Sequence, residues 1–172
     1  MFHVDTSGRV IAVSRRGCGG QVVSIVTLAL TLLVPFAQAP AAAIPSTVVF
    51  VCEHGAAKSL IATAYFNKLA AERGLAARAE FRGVDPQDAL SVSAVAGLKA
   101  DGMTIPEGRP TALGATDVAA ASHIFAIGCT LPASATQSGK ARSWDDVPDT
   151  QGYGPMRDAI VRRVGRLLDE LR

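Results

Sequence analysis

Eight consecutive residues, Cys52-Glu53-His54-Gly55-Ala56-Ala57-Lys58-Ser59, place a thiol, an imidazole, a cation and a hydroxyl in one short stretch with the spacing C-x5-K-S. A loop of this length can curl until successive backbone N–H groups converge on one tetrahedral oxyanion, and a helix starting at its end adds the positive pole of its dipole. That pole and the Ser59 hydroxyl favour the thiolate form of Cys52, and a thiolate facing a bound oxyanion is a nucleophile. The nearest competing pattern is the nucleotide-binding loop G-x4-G-K-[ST], which closes on the same Lys-Ser pair. Both of its glycines are missing, because Cys52 and Ala57 stand in their positions. A third reading makes Cys52 a small buried residue at a strand end, the commonest fate of a lone cysteine, and the company of Gly55, Lys58 and Ser59 argues against it.

Such a loop needs a strand before it and a helix after it. Thr47 to Val51 (TVVFV) is a continuous β-branched and aromatic run, the pattern of a central strand buried on both faces of a parallel sheet. From Ser59 the apolar spacing turns helical, with Leu60, Ala64 and Lys68 on one line, Ile61, Tyr65 and Leu69 beside it, and Gly74 placed to end the helix. Further along, Ala77 to Val84 reads as a strand, Ser91 to Ala100 as a helix stopped by Gly102, and Thr116 to Ala121 as a short helix. Ser122 to Ile127 (SHIFAI) is another buried-strand run ending at Gly128-Cys129, followed by a polar loop and a short strand around Ser143-Trp144. Pro155 suits the first position of a last helix, whose Met156, Ile160, Val164, Leu167 and Leu171 fall at helical spacing. Strands alternating with helices predict an α/β domain: an open parallel sheet of about four strands with helices on both faces, and a binding site outside the carboxyl ends of its strands.

Composition agrees with one such domain. The chain has 172 residues, 49% hydrophobic and 19% charged, too apolar for disorder. Its 17 basic and 15 acidic residues leave +2, which is not the clustered positive charge of a nucleic-acid binder. Three cysteines with no Cys-x-x-Cys and no Cys/His cluster provide neither a disulfide scaffold nor a zinc site, so no metal is expected. At the amino end, Arg15 and Arg16 precede an apolar stretch from Val22 to Ala37, then Ala39, Ala41, Ala42 and Ala43. This is the layout of a signal peptide over residues 1–43, leaving a domain over 44–172. The 16-residue stretch falls short of the roughly 20 residues a spanning helix needs, so no stable membrane anchor is expected. Cleavage after Ala39 or after Ala43 fits the small-residue pattern, and Ser14-Arg15-Arg16 is similar to a twin-arginine signal. Loss of 1–43 leaves 14 basic against 14 acidic residues, with Cys52 and Cys129 as the remaining cysteines. The mature protein is expected outside the cytoplasm, in a bacterial periplasm.

From Thr47 to the carboxyl end, the chain resembles the low-molecular-weight protein-tyrosine phosphatases and the thioredoxin-coupled arsenate reductases, whose loop reads C-x-G-N-x-C-R-S. The resemblance implies that Cys52 is the nucleophile, that the amides of Glu53, His54, Gly55, Ala56, Ala57, Lys58 and Ser59 cradle the oxyanion, and that Ser59 stabilises the thiolate. It also implies a monomer that uses no cofactor. Three positions depart from the pattern: His54 replaces a Gly, Gly55 replaces the Asn, and Lys58 replaces the Arg that clamps the transferring group. Gly55 can adopt positive φ without strain. Lys58 still attracts phosphate but cannot form the planar two-pronged contact, which predicts weaker transition-state stabilisation.

The family's general acid lies in an Asp-Pro loop before the last helix, and in Trp144-Asp145-Asp146-Val147-Pro148-Asp149-Thr150 the residue that aligns best is Asp149. An Asp there would protonate the leaving oxygen and later activate water. Tyr153 corresponds to the aromatic that often follows, and Arg82, at the end of the second strand, is a candidate second cation at the pocket mouth. His54 either faces the pocket or lies on the loop surface; His123 reads as a core or edge residue. The expected activity is hydrolysis of phosphomonoesters, phosphotyrosine among them, through a Cys-phosphate intermediate, on a phosphorylated protein or a small phosphomonoester. Two alternatives stay open: an arsenate-reductase-like redox enzyme using Cys52 with Cys129 as partner, and a non-catalytic module binding an inorganic oxyanion. Since the carboxyl ends of parallel strands share one edge, Cys52 and Cys129 are expected to open toward one pocket.

Overall fold

The computed structural model describes residues 45–149 and 151–172; the expected signal segment lies outside them. Along this chain run β1 (Ser46–Cys52), α1 (Lys58–Glu72), β2 (Ala77–Gly83), α2 (Val92–Ala100), α3 (Ala115–Ala120), β3 (His123–Ala126), α4 (Ala133–Thr136), β4 (Ala141–Ser143) and α5 (Tyr153–Glu170). The four strands form one sheet of order β2-β1-β3-β4, and every pairing is parallel. This is the α/β architecture that the alternation of strands and helices implies. The apolar run of β1 occupies an interior position, with Phe50 opposite both Phe81 and Phe125.

Successive strand residues face opposite sides. Val48, Phe50 and Cys52 of β1 enter the larger core with Leu60, Ile61 and Phe66 of α1, Leu98 of α2, and Ile160, Val164 and Leu168 of α5. Val49 and Val51 enter a smaller core with Ile124, Ala121 and Ala135, flanked by Val118 of α3. Helices therefore cover both faces. From β1 the chain winds through α1 to β2 on one side and then crosses to β3 on the other. The carboxyl ends of β1 and β3 thus form the switch point where such sheets bind ligands.

Gly74 and Gly102 end α1 and α2 as expected. In each case the N–H of the following residue, Leu75 or Met103, returns to a carbonyl of the last turn at 2.9 Å. Ser91 caps α2 rather than starting it, its hydroxyl accepting from the Ala94 N–H. The last strand lies at Ala141–Ser143, ahead of the expected Ser143-Trp144, because Trp144 turns into the core, 5.4 Å from the Phe50 ring and 4.8 Å from that of Phe125. The expected polar loop before it holds the one-turn helix α4. Helix α5 begins at Tyr153, which makes Pro155 its third residue instead of its first. The N–H groups of a first turn have no intrahelical acceptor, so the ring costs no hydrogen bond there.

Candidate active site

The Cys52–Ser59 loop is held by its carbonyls. Val84 N–H donates to Cys52 O (3.1 Å) and Glu53 O (2.9 Å), Asp85 N–H donates to Glu53 O (2.8 Å), and Ser91 N–H donates to Ala56 O (3.0 Å). In a trans peptide the N–H points away from the preceding C=O. Carbonyls tied outward to the β2–α2 segment therefore turn the N–H groups of Glu53, His54 and Ala57 the opposite way. Among the described residues, no N–H from Glu53 to Ala57 donates a backbone hydrogen bond. Gly55 has φ +64°, the conformation its lack of a side chain permits. It is also packed: a Cβ on Gly55 would lie 2.8 Å from Gly83 N, and one on Gly83 would lie 2.9 Å from Gly55 N. The loop and the end of β2 touch backbone to backbone, with room for no side chain at either position.

At the start of the loop, Cys52 is 3% exposed and its Sγ lies 3.2 Å from Ser59 Oγ in the first turn of α1. At its end, Lys58 Nζ lies 2.6 Å from Asp149 Oδ1, the lysine side chain 10% exposed and the aspartate 63%. The ammonium also rests on the backbone of Gly128, where a Cβ would come within 2.7 Å of Nζ. Cys52, Lys58, Asp149 and the loop line one open cavity of about 450 Å³, whose remaining walls include Gln87, Ser91, Gly128 and Met156. A thiol, a cation, a row of unshared N–H groups and a solvent-reaching carboxyl thus meet on one side of a small cavity. That arrangement has the parts for attack on a tetrahedral oxyanion ester: a nucleophile, charge-stabilising donors and a proton donor.

Other residues singled out in the sequence go elsewhere. Cys129 does not line the Cys52 cavity, contrary to the expectation of a shared pocket. Phe125 and Ile127 face the larger core, and continued alternation would send residue 129 the same way. Gly128, at φ +60°, breaks the alternation, and Cys129 packs on the smaller core with Sγ 3.5 Å from Val51 O. The two thiols lie at one edge of the sheet but on opposite faces, and both are free. Burial pushes the Cys129 thiol up to about 11. Arg82 is not a second cation at the pocket mouth; it is paired with Glu80 (2.6 Å) and Asp117 (2.7 Å).

Tyr153 is likewise not in the cavity. Its ring lies against Gly97, and its hydroxyl donates to Asp101 Oδ2 at 2.6 Å, beside Tyr65 Oη at 2.7 Å and Arg157 Nη1, which reaches Oδ1 at 2.9 Å. Hydrogen bonds from Tyr153 and Tyr65 hold the Asp101 carboxyl below its ordinary value, and burial followed by the Asp101 contact raises the Tyr153 phenol. Asp145 bonds Ser143, and Asp146 pairs with Arg163, whose hydrogen bond lowers the Asp146 carboxyl. His54 lines the cavity while its Nδ1 meets Asp85 O at 3.2 Å. His123 is a half-buried strand residue beside the Phe125 ring. Sequence reasoning missed Gly128 and Ser91 as cavity residues, although the Gly that closes SHIFAI was a visible turn signal.

No protein-family model matches the chain, and no curated protein matches it in sequence. Solved structures do. A low-molecular-weight protein tyrosine phosphatase from T. tengcongensis is 21% identical over 73% of this chain and 99% of its own, with a TM-score of 0.62. An arsenate reductase in its phosphate-binding state is 19% identical over 74% of this chain and 99% of its own, also at 0.62. The YwlE arginine phosphatase from Geobacillus stearothermophilus is 21% identical over 74% of this chain and 93% of its own, at 0.61. What the chain shares with these proteins, over about three quarters of its length, is the low-molecular-weight phosphatase fold.

Proposed function

We propose that this protein is an exported, cysteine-dependent phosphomonoester hydrolase. The reaction runs in two displacements. The sulfur of Cys52 attacks phosphorus as the P–O bond to the alcohol or phenol breaks, while Asp149 gives its proton to the leaving oxygen. The amides from Glu53 to Ser59 and the Lys58 ammonium hold the non-bridging oxygens, and Ser59 Oγ donates to the sulfur. Asp149 then takes a proton from water, whose oxygen attacks phosphorus; the P–S bond breaks, releasing phosphate and restoring Cys52. A Cys-to-Ser variant of the YwlE arginine phosphatase carries a phosphorylated active-site serine, which supports the covalent step.

The observation that carries this reading is the Lys58–Asp149 contact at the cavity lined by Cys52. It supports Asp149 as the acid, on a fold whose solved examples include phosphatases as well as arsenate reductases. Phosphorylated proteins, phosphotyrosine included, and small phosphomonoesters are the substrate classes. Export rests on the amino-terminal pattern of residues 1–43, which lies outside the described residues; among those described, no helix is long and apolar enough to cross a membrane.

The deciding experiment assays the reduced protein with p-nitrophenyl phosphate and with arsenate, beside Cys52→Ser. Ester hydrolysis lost in the variant supports the proposal. Arsenate reduction would support a reductase, and tight phosphate binding with neither activity would support a binding module.

A further inference from the structure

The segment that carries Asp149 is fastened before it reaches the cavity. Trp144 and Val147 are buried in the larger core. Between them Asp146, its side chain 80% exposed, is ion-paired with Arg163 of α5, whose side chain is only 10% exposed and whose Nη1 donates to Ala159 O at 2.7 Å. A guanidinium so enclosed is costly unless its charge and its donors are met, so the rigid fork of Arg163 fixes where the Asp146 carboxylate lies. Of the neighbouring cations, Arg142 is engaged by Glu170 at 2.6 Å, and Arg166 acts on the Asp146 carboxylate through its charge, behind the hydrogen bond and charge of Arg163. Asp149 follows three residues later, a reach of about 10 Å at most, and ends on Lys58. The Asp146 ion pair and the buried Val147 together set the point and direction from which Pro148 and Asp149 leave for the cavity.

We infer that Arg163, acting through Asp146, is a positioning residue for Asp149, setting the carboxyl that protonates the leaving oxygen. This rests on the hydrolase reading above. In the step concerned, the Cys52 S–P bond forms, the P–O bond breaks, and the Asp149 proton moves to the departing oxygen. A nitrophenolate leaves without that proton, whereas a phenolate of ordinary basicity needs it. Faulty positioning of Asp149 therefore shows up as a dependence on the leaving group, which a general loss of folded protein does not produce.

The test measures kcat/KM of the full, reduced protein on p-nitrophenyl phosphate and on phenyl phosphate, for wild type, Asp146→Asn, Arg163→Lys and Asp149→Asn. Asp146→Asn is expected to lower the phenyl phosphate value on the order of tenfold, the scale of a small misplacement of a reacting group, and the nitrophenyl value by no more than about twofold. Arg163→Lys, which keeps the charge and loses the fork, should fall between the two. In an Asp149→Asn background, Asp146→Asn should add nothing. Because Asp146 is exposed, its variant tests the inference even if changes at Arg163 prevent folding. Equal losses on both esters, or the same loss without Asp149, would overturn the inference while leaving the hydrolase reading intact. A wild type that hydrolyses neither ester would overturn both.

Discussion

Lys58 Nζ and Asp149 Oδ1 meet at 2.6 Å, so the cation at the start of α1 and the carboxyl of the segment before α5 are held together beside Cys52. The contact joins parts of the chain that share no local sequence signal. It also means that an incoming oxyanion competes with Asp149 for the one ammonium that lines the cavity among the described residues. An ammonium is a point charge, and it cannot serve two anions with the geometry of a planar fork.

Lys58→Arg should raise kcat for p-nitrophenyl phosphate on the order of tenfold, because a guanidinium grips two phosphoryl oxygens at once with charge-assisted bonds. The guanidinium would have to fit between the backbone of Gly128, where a Cβ would already come within 2.7 Å of the Lys58 ammonium, and the Asp149 carboxylate. Steady-state kinetics on the purified variant decides it. An unchanged or lower kcat would mean that the cavity is adapted to lysine.

Gly55→Ala should destabilise the protein by about 2–4 kcal/mol, combining a left-handed conformation with overpacking against Gly83. Urea unfolding measures the cost. Hydrolysis should fall with it, since the same shift moves the N–H groups of the loop. A variant as stable as wild type would show that the loop and β2 are not in tight backbone contact.

The Asp101 cluster predicts an acid-dependent stability. Its carboxyl is held below its ordinary value by the Tyr153 and Tyr65 hydroxyls, so the unfolded chain binds the proton more readily than the folded one. The stabilisation is present above the unfolded value and lost as pH falls through the lower, folded one. The Tm gap between wild type and Asp101→Asn should therefore be widest near neutral pH and close below about pH 4. A gap independent of pH would place the effect in packing instead.

Cys129 should stay out of the chemistry. With burial pushing its thiol up to about 11 and its sulfur packed on the smaller core, Cys129 is a poor source of thiolate near neutral pH. Cys129→Ala should leave ester hydrolysis unchanged, and peptide mapping after mild peroxide should find no Cys52-to-Cys129 disulfide. Recovery of that cross-linked peptide would show that the two faces of the sheet edge open to each other, and would favour the redox reading.

Mass spectrometry of protein exported from a bacterial host should find the mature amino terminus between Pro40 and Ser46. Full-length chain in the membrane fraction would instead indicate a retained anchor.

Much of the fold was legible because its signals are local. A β-branched run wrote β1, the 3.6-residue spacing wrote α1 and α5, Gly74 and Gly102 stopped their helices, and C-x5-K-S at the strand end marked the loop. Those signals reach a few residues along the chain, as do the dihedral and hydrogen-bond preferences behind them. Which distant groups meet depends on sheet order, on which face a strand residue occupies and on where that alternation breaks, and these emerge only when the elements pack. Sequence could place Cys52 and Cys129 at one edge of the sheet, but the turn at Gly128 put Cys129 on the other face. Tertiary packing likewise spent Arg82 on Glu80 and Asp117, drew Tyr153 onto Gly97 and Asp101, and brought Asp149, which the resemblance had singled out, onto Lys58. Charge and size alone could not rank those partners, because each pairing is decided by the position of a backbone that other contacts hold in place.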